Sequence, residues 1–186
     1  MPRSTLFAVA AASLLLAGCR SMTPANASPF IAVPGFGTTF AAPEAAMQID
    51  PALRYRTVFA ATRAAGAPRD TLPALERVAR FLNLLAASGK RIVPGDVVVV
   101  ISGAATTAVL SDAAWRARHP DGGDSNPNLA LVRALREAGA VVSVCSQALH
   151  GRNIAPVEVD ASVRQDLSAM TTLATLQAQG YALIPE

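Results

Sequence analysis

The sequence predicts a single small α/β domain, a mainly parallel sheet of about five strands with helices on both faces. Two patterns carry this prediction. Three times a helical stretch closes on a glycine, at Gly89, Gly139 and Gly180, and an apolar strand begins within a few residues. That cadence belongs to repeated strand–helix units joined by right-handed crossovers. The strands are also continuous apolar runs rather than alternating ones, as in Val97–Ile101, which is the pattern of parallel strands covered on both faces. A chain of 186 residues is long enough for one such domain with a real core, plus an N-terminal extension.

Residues 1–18 read as a leader rather than as part of the fold. Arg3 supplies a positive start, and Leu6 to Leu16 is an apolar run too short to span a bilayer as a helix. The run closes on Leu16-Ala17-Gly18-Cys19, which resembles a bacterial lipobox, so Cys19 is the expected lipidation site and the new N-terminus. Arg20 follows the cysteine where Asp would signal retention at the inner membrane. The expected location is therefore the cell envelope, lipid-anchored to the outer membrane and facing the periplasm. Residues 19–50, rich in Ala, Pro, Ser, Thr and Gly, read as a tether and an N-terminal arm, and residues 51–186 as the folded domain.

Within the domain, Tyr55 to Ala60 is a β-rich run. Asp70 or Thr71 can cap a helix whose Leu75, Val78, Leu82 and Leu85 share one face, and Gly89 can end it. Val97–Ile101 is the second strand. Asn126 suits an N-cap and Pro127 the first helical position, ahead of Leu129, Val132 and Leu135 on a further helix that Gly139 stops. Ala140 to Val144 is the next strand. Leu173 and Leu176 lie on a helix closed by Gly180, before a last strand over Tyr181 to Ile184.

Hydrophobic residues make up 52% of the chain and aromatics only 5%, so the core is assembled from Ala, Val and Leu. The net charge is +3, with one lysine, Lys90, and scattered arginines in no basic run. No nucleic-acid partner is expected on that footing. No cofactor or metal is expected either. Gly35-Phe36-Gly37 lacks the preceding strand and following helix of a phosphate-binding loop, and His119, Asp121 and Asp124 match neither a calcium loop nor a zinc site.

Chemistry, if the chain performs any, points to Cys145. It ends an apolar strand, and open α/β sheets place their working groups where strands end. With Cys19 lipidated, Cys145 has no partner within the chain. Two readings of the thiol stand open, a packed small hydrophobe and a nucleophile or sulfur carrier. For the second, a turn beginning at Ser146 and Gln147 would offer unpaired backbone N–H groups to the anion. Gln147 could donate a hydrogen bond to sulfur, and His150, one turn on, could exchange a proton.

Gly103-Ala104-Ala105-Thr106, Asn126-Pro127-Asn128, Cys145-Ser146-Gln147, Ser168-Ala169-Met170-Thr171 and the closing Leu176 to Ile184 occur in the order found in DsrE/DsrF-like proteins, which the chain resembles from about Phe30 to Glu186, particularly their exported branch. The resemblance implies a DsrE-like α/β domain that assembles into trimers or hexamers. It implies a persulfide-carrying role for Cys145, with Gly103, Asn126 and Asn128 as auxiliary positions, and a sulfur donor or acceptor protein as partner. Ser102 stands where many exported members have His, and Ser146 where they usually have Gly. Two functions are thus expected, a sulfur carrier or sulfurtransferase-like protein, or a non-catalytic oligomeric binding or assembly module with Cys145 packed in the core.

Overall fold

The computed structural model describes Met1 and residues 31–186; the leader, Cys19 and the first part of the tether lie outside the described residues. Five strands form one sheet: β1 (Thr57–Ala61), β2 (Val97–Ile101), β3 (Val141–Cys145), β4 (Arg164–Asp166) and β5 (Ala182–Ile184). Their order across the sheet is β4-β3-β2-β1-β5, and every pairing is parallel. The helices are α1 (Pro73–Ala87), α2 (Asp112–Arg118), α3 (Leu129–Glu137), α4 (Ser146–Gly151) and α5 (Ala169–Ala178).

Side-chain alternation along the strands divides the core into two layers. Phe59, Ala61, Val97, Val99, Ile101, Val142 and Val144 face α1 and α3 and join Leu75, Val78, Leu82, Leu131, Val132 and Leu135 in the main core. Val58, Val98 and Val100 face the other way, under Ala169, Leu173 and Leu176 of α5 and Tyr181. Helices therefore cover both faces, as expected, but unequally. No residue of α5 is fully buried.

Gly89, Gly139 and Gly180 all adopt left-handed φ, at +76°, +93° and +86°, and end their helices as read. The helix starts differ from expectation. α1 is capped by neither Asp70 nor Thr71: its N-cap is Leu72, with Pro73 at the first helical position. Proline forces the residue before it into an extended conformation, and the Leu72 N–H donates across the domain to Asn128 Oδ1 at 2.6 Å. Likewise α3 begins at Leu129 with Asn128 as N-cap, two residues after Asn126.

The arm is partly packed. Asn83, buried on α1, accepts from Val33 N–H at 2.8 Å and donates to the Phe36 and Gly37 carbonyls. Val33 is fully buried. Gly37 has φ +60°, and a Cβ there would overlap the Arg80 amide nitrogen and the Ala79 backbone, so only glycine lets the arm lie this close to α1. Gly35-Phe36-Gly37 is thus a packed turn rather than a phosphate loop.

Candidate functional site

Cys145 is the last residue of β3 and the N-cap of α4, with extended backbone dihedrals of −74° and 116°. Strand alternation turns its side chain, like those of Val141 and Ser143, towards the face that carries α5. The residue is 5% exposed, yet it joins neither apolar cluster. Its sulfur makes no capping bond to α4.

The neighbouring strand gives this position its meaning. β4 pairs with β3 so that Cys145 lies opposite Asp166, the last rung of the sheet on that side. After β3 the chain turns into α4, and Leu149, Ile154 and Val159 pack with the α1/α3 layer. After β4 the chain turns the other way, into α5 on the opposite face. Two adjacent parallel strands thus send their carboxyl-end connections to opposite sides, which opens a crevice at a topological switch point. Cys145 ends one of these two strands, opposite Asp166.

Gln147 spans this crevice. It is exposed, and its Nε2 donates to the Leu167 carbonyl at 3.4 Å, joining the turn after β3 to the turn after β4. Asp166 is held by Arg164, at 2.7 and 2.9 Å, and accepts from Thr172 Oγ1 at 3.2 Å. A groove of about 290 Å³ runs from here between β4 and α5, lined by Arg164, Asp166, Leu167, Thr171, Thr172 and Leu176. Leu167 and Met170 project outwards with 71% and 79% exposure. The larger clefts, of about 360 to 530 Å³, lie at the amino end of the sheet around Tyr55, Lys90, Ile92 and Gly139, and Cys145 lines neither these nor the groove beside α5.

The remaining sequence-nominated residues are not gathered at the thiol. His150 is exposed in the last turn of α4. Five residues beyond Cys145, it is turned roughly 140° around the helix and displaced about 7.5 Å along it, so it does not face the sulfur directly. Asn126 and Asn128 are buried and occupied in structure. Asn126 Nδ2 donates to the Ala108 and Leu110 carbonyls at 3.1 and 2.7 Å, and its Oδ1 accepts from the Asn128 backbone N–H at 3.0 Å. Gly103, with φ +55°, opens the 3₁₀ segment Gly103–Val109, where a Cβ would approach the Thr62 carbonyl to 3.0 Å. Ser102 marks the end of β2, its N–H bonded to the Ala61 carbonyl at 2.9 Å. Asp166 and Leu167 were not foreseen as part of the site, because Arg164-Gln165-Asp166 carries no apolar signal of a strand.

Residues 57–185 match the DsrE/DsrF-like family. The chain belongs to that family. Among solved structures it is similar to a protein of unknown function, MTH1491, from Methanobacterium thermoautotrophicum, with 18% sequence identity and a TM-score of 0.51, over 72% of this chain and 100% of that one. At that identity the likeness concerns the fold, and it agrees with the single all-parallel five-stranded domain seen here. No curated protein matches the chain. In this DsrE/DsrF-like domain, then, the thiol singled out by sequence lies at the switch point of the sheet.

Proposed function

We propose that this DsrE/DsrF-like protein is a sulfur carrier, a sulfurtransferase-like protein that holds a persulfide on Cys145 at the cell envelope, anchored to the outer membrane through a lipid on Cys19. The observation that carries the reading is the position of Cys145 on the last β3–β4 rung, at the topological switch point where α/β sheets bind their ligands. The family's association with sulfur relay supports the same chemistry.

The transfer is a thiol–disulfide type of exchange. The Cys145 thiolate, its proton given to solvent, attacks the outer sulfur of a donor persulfide R–S–SH. A new S–S bond forms, the donor S–S bond breaks, and R–S⁻ leaves with the electron pair. No external oxidant is required, because the transferred sulfur arrives already at the sulfane level. Delivery to an acceptor thiolate repeats the step with Cys145 as the leaving group.

One observation favours a second reading, in which the protein is a binding or assembly module: the 5% exposure of Cys145. Both readings include a trimer or hexamer. The outward Leu167 and Met170 beside the groove support it, since exposed apolar side chains grouped around a cleft mark contact surfaces. Sedimentation of the delipidated protein at micromolar concentration is expected to show a trimer or larger assembly, and a monomer throughout would remove that part of the proposal.

Mass spectrometry of the membrane fraction, after treatment with a low-molecular-weight persulfide, tests the rest in one measurement. The expected result is a lipid-modified Cys19 and one added sulfur atom on the peptide containing Cys145, with Cys145 open to alkylation in the folded protein. A Cys145 that gains no sulfur and resists alkylation until unfolding assigns the protein to the module reading. An unmodified Cys19 in a freely soluble protein would remove the anchor.

A further inference from the structure

At the carboxyl end of β1 a single carboxylate oxygen sits in a three-donor hole. Glu186 Oε2 accepts from the Thr62 backbone N–H at 2.6 Å, from Thr62 Oγ1 at 2.7 Å and from the Arg63 backbone N–H at 2.8 Å. Successive backbone N–H groups converging on one point form an anion-binding nest. Part of its frame is set by the fold rather than by its occupant. Thr62 follows directly on β1, a central strand, and its carbonyl is held from behind by the Ala105 N–H at 3.1 Å. Gly103 packs against the same carbonyl.

The surroundings are cationic. Arg63 belongs to the hole, and Arg77 reaches the adjoining Pro185 carbonyl with Nη2 at 3.1 Å. Among the described residues neither arginine forms an ion pair, since the four ion pairs present use Arg54, Arg118, Arg133 and Arg164. The carboxyl group responds accordingly. Burial pushes the Glu186 pKa up, but the hydrogen bonds from Thr62 and Arg63 together outweigh it and hold the group below the usual carboxylate range.

We propose that the Thr62–Arg63 hole is a binding site for a small oxyanion, and that the Glu186 side chain is its built-in competitor, closing the site in the structure seen here. One ligand oxygen takes the place of Oε2, and the remaining negative charge lies towards Arg63 and Arg77. β1 is two strands from β3, about 10 Å across the sheet, so the site opens on the same edge as Cys145 without sharing its residues. The inference does not rest on the sulfur-carrier reading.

The test uses the full chain with Glu186→Ala and Glu186→Gln, titrated at constant ionic strength with sulfate in one arm and acetate in the other. Amide resonances of Thr62 and Arg63 and isothermal titration provide the readouts. Removing a competing carboxylate raises apparent affinity by the inverse of the fraction of time it leaves the hole open, and a gain of roughly tenfold is expected for Glu186→Ala. Glu186→Gln, which keeps the tail in place without its charge, is expected to fall between that variant and the wild type. Sulfate alone gaining affinity assigns the site to tetrahedral oxyanions, and both anions gaining assigns it to oxyanions in general. Adding Thr62→Val to Glu186→Ala removes the hydroxyl donor and is expected to weaken binding severalfold. Variants that fold but show no gain with either anion, or binding indifferent to Thr62→Val, would make Glu186 a structural latch and overturn the proposal.

Discussion

Replacing Asn126 with alanine is expected to destabilise the domain by about 3 kcal/mol, near the upper end for a single buried polar side chain. The amide is buried and fully engaged. Its two N–H donors serve the Ala108 and Leu110 carbonyls, and its oxygen accepts from both the backbone N–H and Nδ2 of Asn128. Alanine leaves those four groups without this partner in a place water does not readily reach, and each unsatisfied buried group costs about 1–3 kcal/mol before relaxation. The loss propagates, because Asn128 Oδ1 in turn holds the Leu72 N–H at the start of α1. For a domain of this size the melting temperature should fall by about 10 °C. Asn126→Asp separates shape from donors: it is nearly isosteric, but it points a charged acceptor at two carbonyl oxygens, and it should be at least as damaging. A melting point within a degree or two of wild type for Asn126→Ala would show that the tie between the 3₁₀ segment and α3 is redundant.

Asn126 also shows where sequence reasoning stopped. Its place before Pro127 and an apolar helix made it an N-cap by local rules, and the family resemblance made it an auxiliary site position. The structure uses it as a long-range tie, and nothing in a neighbouring-residue pattern encodes a partner sixteen or eighteen positions away. By contrast, β2 was legible to the residue, since five apolar residues in a row, bounded by Asp96 and Ser102, are buried on both faces. α1 and α3 were legible because their apolar residues recur on one face, and the glycines after α1, α3 and α5 because left-handed φ there favours glycine.

The edge strand was not legible. Arg164-Gln165-Asp166 has polar side chains, exposed on the first two and half-buried on Asp166, and its extended form follows from pairing with β3 rather than from its own composition. Without β4 the switch point cannot be located, because it is defined by where two adjacent connections diverge. Position at a strand end was therefore readable for Cys145, while the crevice, the opposed Asp166 and the Gln147–Leu167 link were not. The same limit explains His150. A histidine five residues on from a cysteine looks close in sequence, and only the helical path of α4 shows it turned away.

Cys145→Ser should abolish sulfur loading while leaving the fold intact. The hydroxyl nearly matches the thiol in size, but it provides neither the nucleophilic thiolate nor a persulfide linkage. The structural cost depends on where the residue sits. A buried hydroxyl with no partner would cost about 1–3 kcal/mol, but position 145 is the N-cap of α4 with extended backbone geometry, where serine is among the preferred residues. Its oxygen can accept from an amide of the first turn of α4, which the sulfur does not do. That bond, worth about 1 kcal/mol when cap residues are compared with alanine, offsets much of the burial cost. Cys145→Ala supplies the control: no loading, no cap, and a slightly lower melting temperature than the serine variant. Peptide mapping after treatment with a low-molecular-weight persulfide, beside thermal melts of all three proteins, reads both quantities and distinguishes Cys145 from Cys19. Wild type loaded at Cys145, both variants unloaded, and serine melting at or above alanine would agree with a carrier thiol at the head of α4. If wild type gains no sulfur and the serine variant melts far below the alanine one, Cys145 is a packed apolar group and the carrier reading falls.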